Sequence, residues 1–449
     1  MNQRLLTFIP ISAIILISAS IDLSSLFDYD GQTIPSYVPN NIDNTPNNNS
    51  LTDVGATLGR VLFYDKKLSL NSTISCASCH QQEFAFSDTA TVSIGFDGLS
   101  TGRHSMRIVN PRFGQEVNFF WDARAATLED QSTQPLRSDV EMGFSGMNGQ
   151  PDLDSLFRRM NDISYYPTLF QNTFGSAAIT EERVQFALAQ FMRSILSFDS
   201  KYDEALVAAG GDVNANFALF SSAEQAGKDL YMASRQDGGA NCDACHAAPA
   251  FDMDNNRDNN GVITVAGNPN GTDLTNTRSP SLRDLVNPSG MLNGPMMHDG
   301  SFTIMRQMID HYDNPPFNND LDGRLRQGGN DGTESQNLRL TETEKDNLEA
   351  FLLTLTGSNI YTDEKWSDPF DENGVLFLLD GNCEVTNANL ITDISGGQLQ
   401  SIASDTIGAD CSITSNSSVL FQAGNSITFN SDFEVEAGSI FTAQIEGCN

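Results

Sequence analysis

Apolar positions recur at helical spacing in five stretches of this 449-residue chain. From Leu51 to Tyr64 they fall on one side of a helix that ends just before Asp65-Lys66-Lys67. The pattern returns over Leu153–Phe174 and over Thr180–Leu206, and the latter opens on Thr180 and two acids, a good helix start. Ser222-Ala-Glu-Gln225 reads as a capping box for a fourth helix. Thr341-Glu-Thr-Glu344 caps a last one, with Gly357 as its terminating glycine. The stretch leading to about residue 150 has no periodicity and many Gly and Pro, yet its Phe and Trp content points to packed, functional loops. After about residue 370 the helical period gives way to alternation. Ser418-Val-Leu-Phe-Gln422 and Ser426-Ile-Thr-Phe-Asn430, bounded by Gly or Asn, predict short strands.

The chain therefore reads as mainly α with long loops, followed by a small all-β, solenoid-like domain over 370–449. Ahead of the first helix, residues 21–50 read as a linker, since 29–50 are rich in Asn, Asp and Pro with little apolar content. Residues 1–20 have the form of an export signal: Arg4, an apolar run from Leu5 to Ile17, then small Ser18-Ala19-Ser20. The run is too short for a comfortable membrane span, so no stable span is expected once the signal is cleaved. The net charge of −33, from 58 acids against 25 bases, argues against nucleic acid or an anionic membrane as partner. It suits a basic partner or divalent cations, and equally solubility in a salty exterior.

Chemistry is concentrated in Cys76-Ala-Ser-Cys79-His80 and Cys242-Asp-Ala-Cys245-His246. Each is a C-x-x-C-H, the pattern of covalent c-type haem attachment, with the thiols bound to the porphyrin and the His ligating iron. A zinc ribbon would bring two C-x-x-C pairs within a few tens of residues, and a redox dithiol has no need of a following His. Gly59-Arg-Val-Leu-Phe63 and Gly227-Lys-Asp-Leu-Tyr231 precede the two motifs at similar distances, a weak internal repeat. The repeat is consistent with two related haem domains, over 51–210 and 211–365. Of seven cysteines, Cys383, Cys411 and Cys448 remain, and two of them are expected to form a disulfide in an exported chain.

Phe119-Phe-Trp-Asp-Ala-Arg124, Gln131…Pro135…Glu141-Met-Gly143, Ser279-Pro-Ser-Leu-Arg283 and His298-Asp-Gly300 resemble the bacterial di-haem cytochrome c peroxidase/MauG family. The likeness covers roughly residues 51–360. It implies two cytochrome c-like domains, each with a covalent haem, and a calcium ion between them. It also implies reduction of hydrogen peroxide, with electrons from a small carrier such as a c-type cytochrome or copper protein. MauG-type members instead oxidise a protein substrate. A non-catalytic electron carrier is a third reading. Export and the family together imply a periplasmic, secreted or cell-surface protein. The β domain is similar to small β-stack modules of secreted bacterial proteins.

Residue by residue, the resemblance makes Glu141 the catalytic carboxylate above the His80 haem, with Gln131 and Pro135 beside it. Trp121 becomes the aromatic between the haems. In many peroxidases of the family a His sixteen residues beyond the proximal one blocks the peroxidatic iron. That position is Phe96 here, and a phenyl ring offers iron no lone pair. His104 falls where the family has a calcium-binding Asn; it reads as an altered inter-haem site or a relocated distal ligand. The other matched calcium ligands are carbonyls of Asn293 and Pro295. The sixth ligand of the His246 haem falls on Tyr312, with Met297, Met308 and His311 as competitors. A Tyr oxygen would lower that potential relative to Met.

Overall fold

The computed structural model describes residues 26–371, apart from 115–117, 253–257 and 269, together with parts of 374–445. The export signal, Cys383 and Cys448 lie outside the described residues. Cys411 is buried. The chain forms two compact units, one over 26–371 and another that takes in 372–449.

In the larger unit the helices are α1 (Asp53–Tyr64), α2 (Leu128–Ser132), α3 (Gln134–Arg137), α4 (Leu153–Asn161), α5 (Tyr165–Phe174), α6 (Glu181–Ser194), α7 (Lys201–Ala208), α8 (Ser222–Met232), α9 (Met305–Asp313) and α10 (Glu342–Leu353). α1 starts where Thr52 accepts from the Gly55 amide, and α6 where Thr180 accepts from Arg183. Two long helical stretches expected from periodicity are each broken. Leu153–Phe174 divides into α4 and α5, because Pro167 lies in the first turn of α5 and its ring excludes a helical carbonyl at Ile163. Thr180–Leu206 divides at Ile195–Ser200, where Asn110 bonds both the amide and the carbonyl of Ser197 and holds the chain extended. The cap of α8 is Ser221 with Glu224, one residue earlier than expected. α10 opens on Thr341 and Glu344 as expected but ends at Leu353. Gly357 is instead a point of close approach, its amide donating to buried Asp284.

α1 lies against α6, and α8 against α10. At Gly59 a Cβ would overlap the Ala187 carbonyl and stand 2.6 Å from Phe191 Cβ. At Gly227 it would overlap the Asn347 carbonyl and stand 2.9 Å from Phe351 Cβ. The weak sequence repeat is thus the same helix crossing, built twice.

Residues 26–50 do not behave as a tether. Tyr29 is fully buried and donates to the Lys365 carbonyl at 2.6 Å, and Asn49 bonds Glu129 and Gln190. Their Asn and Asp side chains bind distant parts of the chain, Asp43 to Arg112, Asn44 to the Pro111 carbonyl and Asn49 to Glu129, so a composition that suggests disorder is here put to structural use.

The other unit contains β1 (Asn387–Leu390), β2 (Gly397–Ala403), β3 (Thr406–Ala409), β4 (Ser412–Ile413), β5 (Ser417–Ala423), β6 (Ser426–Phe429), β7 (Glu434–Val435) and β8 (Ile440–Ile445). All described pairings are parallel, in the orders β1-β3-β6, β2-β5-β8 and β4-β7. Gly397 pairs with Ser417 and Thr406 with Ser426, each twenty residues on. Ile407, Ile413, Val419 and Phe421 form the core.

The crossings generate a prediction. Gly59→Ala and Gly227→Ala should each destabilise the holoprotein by about 1–3 kcal/mol in chemical denaturation through overpacking. That cost outweighs the helix propensity alanine adds.

Candidate haem sites

One turn beyond each crossing glycine, an aromatic side chain meets a haem-motif histidine. Phe63 lies 6.5 Å from the His80 ring, centre to centre. Tyr231 donates from its hydroxyl to the His246 carbonyl at 2.6 Å. The sequence repeat contained both aromatics, but their task was not legible there.

Each histidine is oriented by a backbone carbonyl. His80 donates from Nδ1 to the Phe86 carbonyl at 3.0 Å, and His246 to that of Phe251 at 3.3 Å. Both accepting phenylalanines have positive φ, +57° and +56°, which turns their carbonyls toward the rings. This leaves Nε2 of each ring for a metal, the usual arrangement of a ligating histidine. Burial lowers the basicity of both imidazoles, His246 to about 4, which keeps the rings neutral, as iron ligation requires.

Cys76, Cys79 and His80 open into a cavity of about 530 Å³ shared with Gln131, Pro135, Glu141 and Trp121. Cys242, Cys245 and His246 line a second one of about 90 Å³. It adjoins a third, of about 60 Å³, with His246, Arg278, Leu282, Met308 and Tyr312 common to both. The C-x-x-C pairs therefore serve separate sites, which removes a shared zinc. Burial pushes the Cys76 and Cys242 thiols up to about 12 and Cys79 to about 11, the opposite of a reactive redox thiolate. Paired protonated thiols beside a neutral imidazole suit covalent haem c in each site.

In the first cavity, Gln131 comes from α2, which is anchored by a buried ion pair between Glu129 and Arg193 at 2.6 Å. Glu141 follows α3. Its amide donates to Ser138 and its carbonyl accepts from the Phe96 amide at 3.0 Å. Burial raises the Glu141 carboxyl above the ordinary range, opposed in part by the charge of Arg124. Arg124 itself lies over the Phe120 ring, 3.6 Å from its centre. The Phe96 ring does not line the cavity; it packs over Gly143, where a Cβ would be 2.8 Å from it. His104 is also committed elsewhere: its Nδ1 donates to the Ala90 carbonyl at 3.0 Å and its Nε2 faces Ser87 at 3.4 Å.

Trp121 lines both the first and the third cavity. In the His246 site, Asn260 donates to the Tyr312 hydroxyl at 3.2 Å and to Met297 Sδ at 3.5 Å. Burial raises the Tyr312 hydroxyl. His311 is tied to the Asn260 carbonyl at 2.9 Å. Asn260 was missed by sequence reasoning, since no motif distinguishes it. Asn293 commits its amide to the Asp284 carbonyl and Tyr361, and Pro295 lines the third cavity. At position 104 an oxygen-seeking calcium ion would meet an imidazole whose nitrogens are both engaged.

A family model for di-haem cytochrome c peroxidase matches residues 53–210. A methylamine utilization protein MauG of Methylophilus methylotrophus is 30% identical over 322 residues, covering 70% of this chain and 85% of that protein. The chain belongs to the di-haem cytochrome c peroxidase/MauG family. A cytochrome c551 peroxidase of Nitrosomonas europaea is 27% identical over 314 residues, covering 67% of this chain and 80% of that protein. The crystal structure of a MauG-like protein associated with microbial copper homeostasis superposes with a TM-score of 0.60 and 30% identity, covering 75% of this chain and 98% of that one. Membership carries two covalent c-type haems, matching the two motifs and their cavities. No helix among the described residues is long and apolar enough to cross a membrane.

The two attachment sites should be separable. Replacing Cys76 and Cys79 by Ala should halve covalent haem staining per chain, and so should replacing Cys242 and Cys245. A pyridine haemochrome assay on each purified variant checks this.

Proposed function

We propose that this chain is an exported enzyme that reduces hydrogen peroxide to water on its His80 side, with electrons delivered from outside through its His246 side. The observation that carries the reading is the shared cavity of His80, Glu141 and Gln131, from which Phe96 and the ring nitrogens of His104 are turned away. When bound, the haems supply the two electrons that, with two protons, convert peroxide to two waters. Glu141 takes the proton from the near peroxide oxygen and returns it to the departing one, so that water rather than hydroxide leaves. Burial raises its carboxyl above the ordinary glutamate value, the direction a proton shuttle needs. Gln131 orients the peroxide, and Trp121 joins the two halves as the electron path.

A MauG-like oxidase acting on a protein substrate is the second reading. Tyr312, held by Asn260 in the His246 site, favours it, because an oxygen ligand stabilises oxidised iron. Steady-state turnover with peroxide and a reduced c-type cytochrome or copper protein separates the two. The strongly acidic chain suits a donor with a basic face. An electron carrier closes both iron faces, which Glu141 and Phe96 speak against.

The apolar run behind Arg4 supports export to the periplasm or cell surface. Cytochrome c-like domains over 51–210 and 211–365 are consistent with the paired helix crossings. The in-register parallel strands, repeating about every twenty residues, support a β-solenoid that serves for attachment or display.

Two outcomes test this assignment. Glu141→Gln should retain haem and slow peroxide cleavage by about 10²–10⁴-fold. In the parent enzyme kcat/KM should fall as pH drops through the Glu141 pKa, which lies above the usual glutamate value. That acid limb should vanish in the variant. Electron paramagnetic resonance of the as-isolated ferric protein should show a high-spin signal, with peroxide reacting before any reduction. Two low-spin signals, with activity only after half-reduction, would overturn the open-site reading.

A further inference from the structure

Where the two halves of the larger unit meet, Trp121, His104 and His298 form a closed triangle. Trp121 donates from Nε1 to the His104 carbonyl at 2.8 Å. The His104 amide donates to the His298 carbonyl, also at 2.8 Å. The His298 ring then meets the Trp121 ring edge-on, 6.3 Å between centres. None of the three has slack. His298 accepts from Asn276 at Nδ1 and donates from Nε2 to Thr264, at 2.7 and 2.8 Å. The Trp121 carbonyl accepts from the Arg278 amide at 2.9 Å.

Trp121 and His104 border the first and third cavities, and on the remaining side the backbone of the two halves is closely packed. A Cβ on Gly294 would overlap the Asp88 carbonyl and come 3.3 Å from His104 Cε1. One on Gly300 would come 2.7 Å from the Thr91 carbonyl. The loop that carries His104 is thus clamped by two glycines of the other half. The His104 ring is buried, with Nδ1 committed to the Ala90 carbonyl and Nε2 facing Ser87. Its side chain offers no oxygen to a hard cation.

We propose that His104 and His298 are positioning residues that hold Trp121 between the haems, and that this protein-only latch takes the place of the inter-haem calcium ion. Coupling between the haems is then independent of divalent cations. The inference rests on Trp121 being the path between the haems.

The test uses the holoprotein and needs no peroxide, so it fails or stands separately from the peroxidase reading. Calcium is measured by mass spectrometry, and electron paramagnetic resonance spectra are taken fully oxidised and half-reduced, before and after dialysis against EGTA and after addition of calcium chloride. The expected result is calcium well below one per chain, with spectra indifferent to either treatment. One calcium per chain, lost to EGTA together with a spectral change, overturns the proposal. In the parent protein, reducing one haem should alter the spectrum of the other. His104→Ala keeps the backbone bonds to Trp121 and His298 but removes the ring that ties this loop to the Ala90 carbonyl; it should lose that response while retaining covalent haem. Should His104→Ala fail to fold, His298→Ala removes the ring that meets Trp121 edge-on and should lose the response likewise. Variants that keep the full response overturn the latch.

Discussion

A helix crossing that admits only a hydrogen atom stands behind both haem sites. α1 approaches α6 at Gly59, and α8 approaches α10 at Gly227, so closely that backbone touches backbone. The distance fixes the rotation of α1 and α8 about their own axes. One turn on, that rotation delivers Phe63 to the His80 ring and Tyr231 to the His246 carbonyl. A wider crossing would move both aromatics, and the loops of the C-x-x-C-H motifs would lose the surfaces they rest on. Glycine is tolerated in these helix interiors, at a cost of about 1 kcal/mol relative to alanine, because the close packing depends on it.

Two buried ion pairs extend that frame. Arg283, wholly buried in the Ser-Pro-Ser-Leu-Arg motif, grips both oxygens of Asp203 at 2.7 and 2.8 Å. Asp203 also accepts from Tyr37 and Ser200, which satisfies the carboxylate's remaining capacity. Arg193 and Glu129 do the same for α2 and so for Gln131. Removing one partner of such a pair strands a buried charge and costs about 3–5 kcal/mol. Arg283, recognisable in sequence as part of a functional motif, is thus a structural residue that joins α7 to the loop before Asp284.

Covalent motifs and caps were legible in the chain because they are local. The haem-attachment pentapeptides, Thr180 and the Thr341–Glu344 box depend on residues at most four apart. The strand at Ser418–Gln422 was legible because alternation is local too. What escaped was set by partners distant in sequence. Periodicity ran through Pro167 and through the Asn110–Ser197 tie, since neither interrupts the apolar count. Composition made residues 26–50 look unstructured, although Tyr29 finds Lys365 more than three hundred residues away. At the site, residue identity placed Phe96 and Glu141, but not the direction of the Phe96 ring. The backbone carbonyls of Phe86 and Phe251 have no side-chain signature at all.

Those two carbonyls have a consequence for how labour is divided across the porphyrin. An imidazole whose Nδ1 proton goes to a carboxylate acquires imidazolate character and pushes electron density onto its metal. Here the acceptors are neutral amide carbonyls, so His80 and His246 keep their protons and remain ordinary neutral donors. With a haem held on His80, the histidine's push would therefore be weak, and in the function proposed above the burden of breaking the oxygen–oxygen bond would fall on proton delivery by Glu141.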